Sequence, residues 1–482
     1  ELVDTITTTN GIATSKPLYL GTYIVTEKTA PDGYVLNPEL QEVTLRYGGQ
    51  TVELVTESVT FANAPQKGQI VVQKNDAESG KPITASPAVF EIHAKADIVT
   101  ADGTVRYKAG ELVDTLTTTD GSATSKPLYL GTYTVKEKTA PDGYVQDTTV
   151  HDVTLFYGDQ TVELVTEGIS IDNAPQMGTI TIEKRDKETG KPIILSDAVF
   201  QLHAKEDIVT GDGVVHYKAG ELVDTLTTVQ GVIASKPLYL GTYTITEITA
   251  PEGYVLDSTP HDVTLSYGGQ SVELVSESLS LDNAPQMGTI TIRKVDKETG
   301  KPITGADAVF ELWAKEDIVT ADGTIRHKAG ELVATLTTKE GVVTTGLLYL
   351  GTYTITEVKA PEGYLLDDTP QTVQVKEGQT VTVEFRNQPL GNLIIRKLSS
   401  KDKTPLEGVQ FKITYADGSY LPDEGGKLSS NGLYWTNAEG QIVLSGITGT
   451  VVVTEVESIP GYTIDPNTQS QTVVVNPDDT QQ

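Results

Sequence analysis

The chain repeats itself every 110 residues, and each repeat is written in the alternation of β-strands. Glu27, Glu137, Glu247 and Glu357 are 110 apart, and so are Lys74, Lys184 and Lys294. A period of that size is one common domain length, so the 482 residues form a tandem array. In one repeat the segments GTITIEKRD, AVFQLHAKED, ELVDTLTT, YLGTYTITEITA, HDVTLSYGG and SVELVSESLSLDN alternate with period two. No stretch keeps a helical period. ETGKP, a Gly-rich excursion at 207–220 and a PEGY corner separate the strands. Many short alternating strands per repeat predict an all-β chain of Ig-like β-sandwich domains. The last two segments are expected to pair as a hairpin across Gly-Gly.

The predicted domains are 1–66, a partial repeat without its first strands; 67–176; 177–286; 287–389; and 390–482, a divergent repeat without its last strand. Lys184 follows Asn173 by only 11 residues, through Ala-Pro-Gln. Proline and so short a link leave little room to swing, which predicts an elongated rod. Residue 1 falls inside a repeat, since ELVDTITTTNG matches ELVDTLTTTDG at 111–121. The chain is therefore expected to be a piece of a longer protein.

Composition excludes several classes of partner. The net charge of −30 repels phosphates, which argues against nucleic acid and against an anionic membrane surface. No apolar run is long enough for a membrane span, so no membrane insertion is expected in this segment. There is no cysteine, so disulfides cannot brace the repeats. No cofactor or metal motif stands out. Asp97 and Asp102 lie close together in one excursion, but a Gly-rich hairpin explains them better than a calcium loop. His93 and His203 alternate with Phe90, Ile92, Phe200 and Leu202 and so point outward; Trp313 takes that place in the fourth repeat.

Strand parity singles out three polar residues per repeat. Ile180, Ile182 and Lys184 share one face; Tyr243, Ile245 and Glu247 share another; Ile169, Ile171 and Asn173 share a third. Burying such groups costs on the order of several kcal/mol unless they meet one another. Together they can react. Burial lowers the lysine pKa and frees the amine to attack; the same burial raises the glutamate. A neutral acid is expected to donate to the carboxamide oxygen, steady the oxyanion and pass a proton to departing ammonia. Each site would act once, so the chain is not an enzyme that turns over.

The motifs Lys-x-Asp, Ala-Val-Phe, Tyr-x-x-x-Glu-x-x-Ala-Pro-(Asp/Glu)-Gly-Tyr and Asn-x-Pro resemble the B-type repeats of collagen-binding surface proteins. These are also called SpaA-type or prealbumin-like domains of Gram-positive surface proteins and pilins. The resemblance implies isopeptide bonds Lys74–Asn173, Lys184–Asn283 and Lys294–Asn387, catalysed by Glu137, Glu247 and Glu357. It implies incomplete sites at both ends: Glu27 with Asn63, lacking a lysine, and Lys397 with Glu455, lacking an asparagine. Asn476 lies at a turn and does not fill that place. The implied role is a stalk, extracellular and anchored to a Gram-positive cell wall. Two alternatives stand beside it. The excursions at 97–110, 207–220 and 317–330 could bind a host extracellular-matrix protein multivalently. The chain could also be a pilin-type subunit, its open ends completing each other between neighbouring copies.

Overall fold

The computed structural model describes residues 1–421, 430–477 and 480–481. Three complete repeats share one plan, which 177–286 illustrates. One sheet is antiparallel, ordered Leu222–Thr227, Val199–Ala204, Gly241–Thr249, His261–Leu265. The facing sheet is built on Met177–Asp186, which pairs with Val232–Ala234, with Leu238–Tyr239 and with Leu274–Asn283. Inward side chains of both sheets, among them Ile180, Ile182, Phe200, Leu202, Tyr243 and Ile245, form the core. Alternation of buried and half-buried positions along Met177–Asp186 runs unbroken to Asp186, so Lys184 points inward with the isoleucines. This is a β-sandwich, repeated along the chain.

One expected feature is corrected. The two segments flanking Gly-Gly do not form a hairpin. His261–Leu265 stays beside Gly241–Thr249, whereas Leu274–Asn283 crosses to the other sheet and runs parallel to Met177–Asp186 for ten residues. Gly268 allows the crossing: a Cβ there would come within 2.8 Å of the Val275 side chain. The crossing matters because it lays the last strand against the first, with Asn283 opposite Asp186.

The partial units differ as their sequences do. In the first, among the described residues, Gly21–Val25 pairs only with Gln41–Leu45. The fifth has one full antiparallel sheet, Leu433–Trp435, Gln410–Tyr415, Gly449–Glu457 and Ser470–Val475. Its last strand, expected to be absent, begins: Thr480 and Gln481 lie parallel to Asn392 and Leu393.

The joints are hydrogen-bonded. Gln176, in the Ala-Pro-Gln link, donates to the carbonyls of Gly269 and Val272 and accepts from the Gly268 amide at 2.7 Å. Two of the three excursions also dock on the repeat before them. The amides of Thr84 and Ala85 donate to Gly211 O, and those of Ile194 and Leu195 to Ala321 O. At the second of these joints Arg326 reaches Asp186 at 2.7 Å and Glu188 at 2.8 Å. His216 takes the arginine's place at the earlier joint and stacks on Tyr239, 3.6 Å between centroids. Arg326→Ala removes a nearly buried cation from a buried carboxylate, a loss of roughly 1.5–3 kcal/mol from that joint. Hydrogen exchange at Ile194 and Leu195 is expected to quicken in this variant, with Thr84 and Ala85 unchanged as the internal control.

Candidate functional site

Each complete repeat brings its lysine, glutamate and asparagine into one buried cluster. Lysine and asparagine come from the parallel pair; glutamate comes across the core from the other sheet. Lys74 is opposite Ile171 and Asp76 opposite Asn173, so Lys74 and Asn173 are diagonal neighbours on the inner face. The lysine backbone is pinned on both sides: Lys184 N donates to Gly231 O at 2.7 Å, and Ile193 N donates to Lys184 O at 2.9 Å. Gly231 adopts φ +81°, and a Cβ there would meet Ile193 O at 3.0 Å, so this close approach requires glycine. The glutamate sits at a β-bulge: Phe200 faces Glu247, but Val199 faces Thr249. The same irregularity recurs beside Glu137 and Glu357. Bulges re-aim a side chain, and here the aimed side chain is the acid.

The contacts repeat closely. Lys74 Nζ lies 3.1 Å from Glu137 Oε1, Lys184 Nζ 3.1 Å from Glu247, and Lys294 Nζ 2.8 Å from Glu357. Asn173 Nδ2 donates to both Glu137 oxygens at 3.1 and 3.0 Å, and Asn283 Nδ2 to both of Glu247 at 3.1 and 2.9 Å. Asn387 Nδ2 donates to Glu357 at 3.2 Å. Lys74 Nζ and Lys294 Nζ also donate to the carboxamide oxygens of Asn173 and Asn387. In the third repeat Asn283 Oδ1 is buried without a hydrogen-bond partner. None of the nine side-chain-bearing residues is more than 2% exposed.

Burial pushes the amines of Lys74, Lys184 and Lys294 below the ordinary lysine range, against the pull of the neighbouring glutamate. The phenyl ring of Phe90, Phe200 or Phe310 stands under each amine at 5.9, 5.7 and 5.6 Å. One expected contact is not made. The acid was expected to address the carboxamide oxygen; instead its oxygens face the carboxamide nitrogen. That geometry suits proton transfer to ammonia better than support of an oxyanion. A cavity of about 260 Å³ opens beside Lys184 and Glu247, lined by Asp257, His261, Ser280 and Asp282 among others.

Two supporting devices were not picked out in the sequence. The backbone amides of Asp147, Asp257 and Asp367 donate to the glutamate Oε2 at 2.7, 3.0 and 3.3 Å. The corner tyrosines Tyr144, Tyr254 and Tyr364 donate their hydroxyls to Asp76, Asp186 and Asp296 at 2.9, 2.8 and 2.9 Å. Each aspartate lies two residues past the lysine and so shares its inward face. The 110-residue recurrence of both residues was the available signal.

The end sites are half-formed. Asn63 Nδ2 donates to Glu27 at 2.6 Å, and the Tyr34 hydroxyl is buried without a partner. Lys397 Nζ lies 2.6 Å from Glu455. Asn476 follows Ser470–Val475 in the other sheet, away from the lysine strand. Asp97 and Asp102 are taken up by their own hairpin: Asp97 accepts from Ala109 N, and Asp102 from Thr100, Thr104 and Arg106. Among the described residues no cluster of His, Cys, Asp or Glu is arranged to hold a metal ion.

Comparison with known proteins agrees with this architecture. The model of the SpaA prealbumin-like fold domain matches residues 1–60, 68–168, 178–278, 288–389 and 391–482. No curated protein matches the chain. Among solved structures, it is similar to the Bacillus anthracis TIE protein, 23% identical, covering 73% of this chain and 54% of that one, TM-score 0.49. It is also similar to BcpA, the major pilin subunit of Bacillus cereus (18% identical, 67% and 99% covered, TM-score 0.25). A third is the pilus adhesin SpaC from Lactobacillus rhamnosus GG (17% identical, 74% and 47% covered, TM-score 0.27). The chain spans about half the length of the first and third of these. Matched in five successive segments that cover nearly all its residues, the chain belongs to the family of SpaA prealbumin-like fold domains.

Proposed function

We propose that the chain is a shaft segment of a Gram-positive surface protein or pilus, stiffened by one self-made Lys–Asn amide in each complete repeat. One observation carries this: three times over, a buried amine and a buried carboxamide nitrogen meet on one buried carboxyl. Lys184 Nζ attacks Asn283 Cγ as a neutral amine. The N–Cγ bond forms, the Cγ–Nδ2 bond breaks, and Glu247 relays the amine proton to Nδ2, which leaves as ammonia. Folding supplies the alignment, which removes on the order of 7–11 kcal/mol from the barrier of a bimolecular encounter. Each site reacts once, so no turnover follows. The location proposed with this role is the extracellular face of the cell wall.

Intact mass tests the reading. The folded chain is expected to weigh three ammonias less than its sequence, about 17 Da for each displacement. A mass equal to the encoded one removes the proposal. The adhesin alternative keeps only part of each excursion as a free face, because Gly211 O and Ala321 O are engaged by the preceding repeats. A pull-down with extracellular-matrix proteins separates the two readings: the shaft reading expects no capture, and capture lost on deleting 207–220 or 317–330 favours the adhesin.

Closure is expected to depend on pH. The lowered lysine pKa means that unfolded chain binds the proton more readily than folded chain. An unclosed repeat is therefore most stable above the ordinary lysine value near ~10.4 and loses stability as pH falls toward the lowered folded value. Attack follows the neutral amine, so closure of a folded repeat quickens as pH rises to the lowered folded value and levels above it. Refolding at several pH values, followed by mass, checks this; a rate independent of pH contradicts attack by the neutral amine.

A further inference from the structure

A second acid stands beside the reacting trio in each complete repeat. In the third repeat Asp257 lines the same cavity as Lys184 and Glu247. Asp147 and Asp367 hold its place in the second and fourth, by the 110-residue stride. Each follows the site glutamate by ten residues, past the Gly-Tyr corner, and its backbone amide donates to the glutamate Oε2. That bond is made by main chain and asks for no particular side chain. The side chain is nonetheless acidic in all three complete repeats.

The local turn does not require the charge. Asp257 Oδ1 accepts from the Thr259 hydroxyl at 2.6 Å and from its amide at 3.1 Å. These two bonds, the hydroxyl's first, hold the carboxyl below the usual carboxylate range, so it is ionised at neutral pH. A neutral carboxamide closes the same turn elsewhere in the chain. Asn37 donates its amide to Glu27 at 2.8 Å, and its Oδ1 accepts from Glu39 N at 2.9 Å. The charge does act on the amine. Burial holds Lys184 low; Glu247 opposes this most strongly, followed by Asp257 and Asp282. Asp147 acts on Lys74 in the same sense, and Asp367 on Lys294. Two other ionisable groups, Lys187 and His261, line the cavity. Asp186, on the inward face with Lys184, is engaged by Tyr254 and Arg326.

We propose that Asp257, and Asp147 and Asp367 in its place, restrains amide formation: its negative charge favours the protonated lysine beside it and so slows attack. The inference rests on the Lys–Asn chemistry proposed above and adds a positioning residue that works through Lys184. The bond changes stay the same. Glu247 still relays the amine proton to Nδ2, and no proton passes to Asp257. What Asp257 alters is how often Lys184 is neutral when the reaction begins. Asp257 is exposed to solvent, so its pull is partly screened and weakens with added salt.

Asp257→Asn tests this in the full chain, because Oδ1 and the backbone amide stay and only the charge goes. Chain recovered under denaturing conditions before closure is refolded across a pH series at low salt. Peptide mapping follows the Lys184–Asn283 cross-link with time. Below the pH at which the rate levels, the third repeat is expected to close roughly 2–5-fold faster than in the parent, the factor of a solvent-screened charge pair. The levelling is expected at lower pH, and added salt is expected to narrow the gap between the two chains. The second and fourth repeats keep the parent profile and serve as controls within each molecule. Asp367→Asn repeats the measurement in the fourth repeat and must move the same way. An unmoved profile leaves Asp257 a turn residue and overturns the inference; slower closure, or none, in the variant overturns it too. A parent chain that loses no ammonia removes the amide chemistry itself, whereas a parent that closes beside an unmoved variant removes this inference alone.

Discussion

Replacing Glu247 with alanine is expected to leave the folded chain two ammonias lighter than its sequence instead of three. The other two repeats close as before, so each molecule carries its own controls. The expectation follows from what Glu247 touches. Its oxygens lie 3.1 Å from the Lys184 amine and 3.1 and 2.9 Å from Asn283 Nδ2, and no other acid in the site contacts both nitrogens. Without it, no group takes the proton from the attacking amine or returns it to the leaving one. Positioned proton transfer contributes a factor of roughly 10²–10⁴, enough to move closure from a folding by-product to an event absent on the laboratory timescale. Glu247→Gln separates chemistry from packing, since it fills the same space without a transferable proton. It is expected to leave the third repeat equally open. By analogy with a disulfide closing a loop of this length, the open repeat forgoes roughly 4–5 kcal/mol of unfolded-state restriction. Its thermal transition should therefore fall below those of its neighbours. Loss of three ammonias from the Glu247→Ala chain sinks the assigned role of the acid.

Much of this site is legible in the residues because strand parity is local. Ile180, Ile182 and Lys184 alternate with outward neighbours whatever the rest of the chain does, and the structure buries all three. Tyr243, Ile245 and Glu247 obey the same rule. What parity does not specify is which sheet a strand joins. Gly-Gly between two alternating segments is a hairpin signal, yet the second segment crosses to the opposite sheet, because the edge of Met177–Asp186 offers a ten-residue ladder there. The joints were hidden for a related reason. The docked excursion needs the Asp186 and Glu188 turn of another repeat, and nothing within the segment 317–330 announces that partner. The corner tyrosines were visible as turn residues, but their hydroxyl bonds to Asp76, Asp186 and Asp296 cross 68 positions of chain. The placement of the Glu247 carboxylate beside Asn283 is held by a bulge and by the Asp257 amide, both products of the assembled sheet.

Pulled from its ends, the parent chain is expected to show no unravelling step from its complete repeats, whereas Asn173→Ala adds one long step. The topology sets the size of the difference. Force enters a repeat along the first strand and leaves along the last, and these two lie parallel and adjacent. With Lys74 joined to Asn173, tension passes from the first strand through the side-chain amide to the last. The 99-residue separation between them is bypassed. Without the bond, the same pull shears the two strands apart; hydrogen bonds of about 1 kcal/mol each then resist a load that a covalent bond carried. Once sheared, the released segment extends at roughly 3.4 Å per residue, giving a step on the order of 300 Å. Lys74→Ala should give the same step, and Glu137→Ala should too, since an unclosed repeat is mechanically an unlinked one. Single-molecule force spectroscopy on the full chain makes the comparison, with the third and fourth repeats silent in every variant. A parent chain that unravels in the same long steps as Asn173→Ala would show that tension does not run through the lysine and asparagine, and the shaft role would then have no physical basis in these sites.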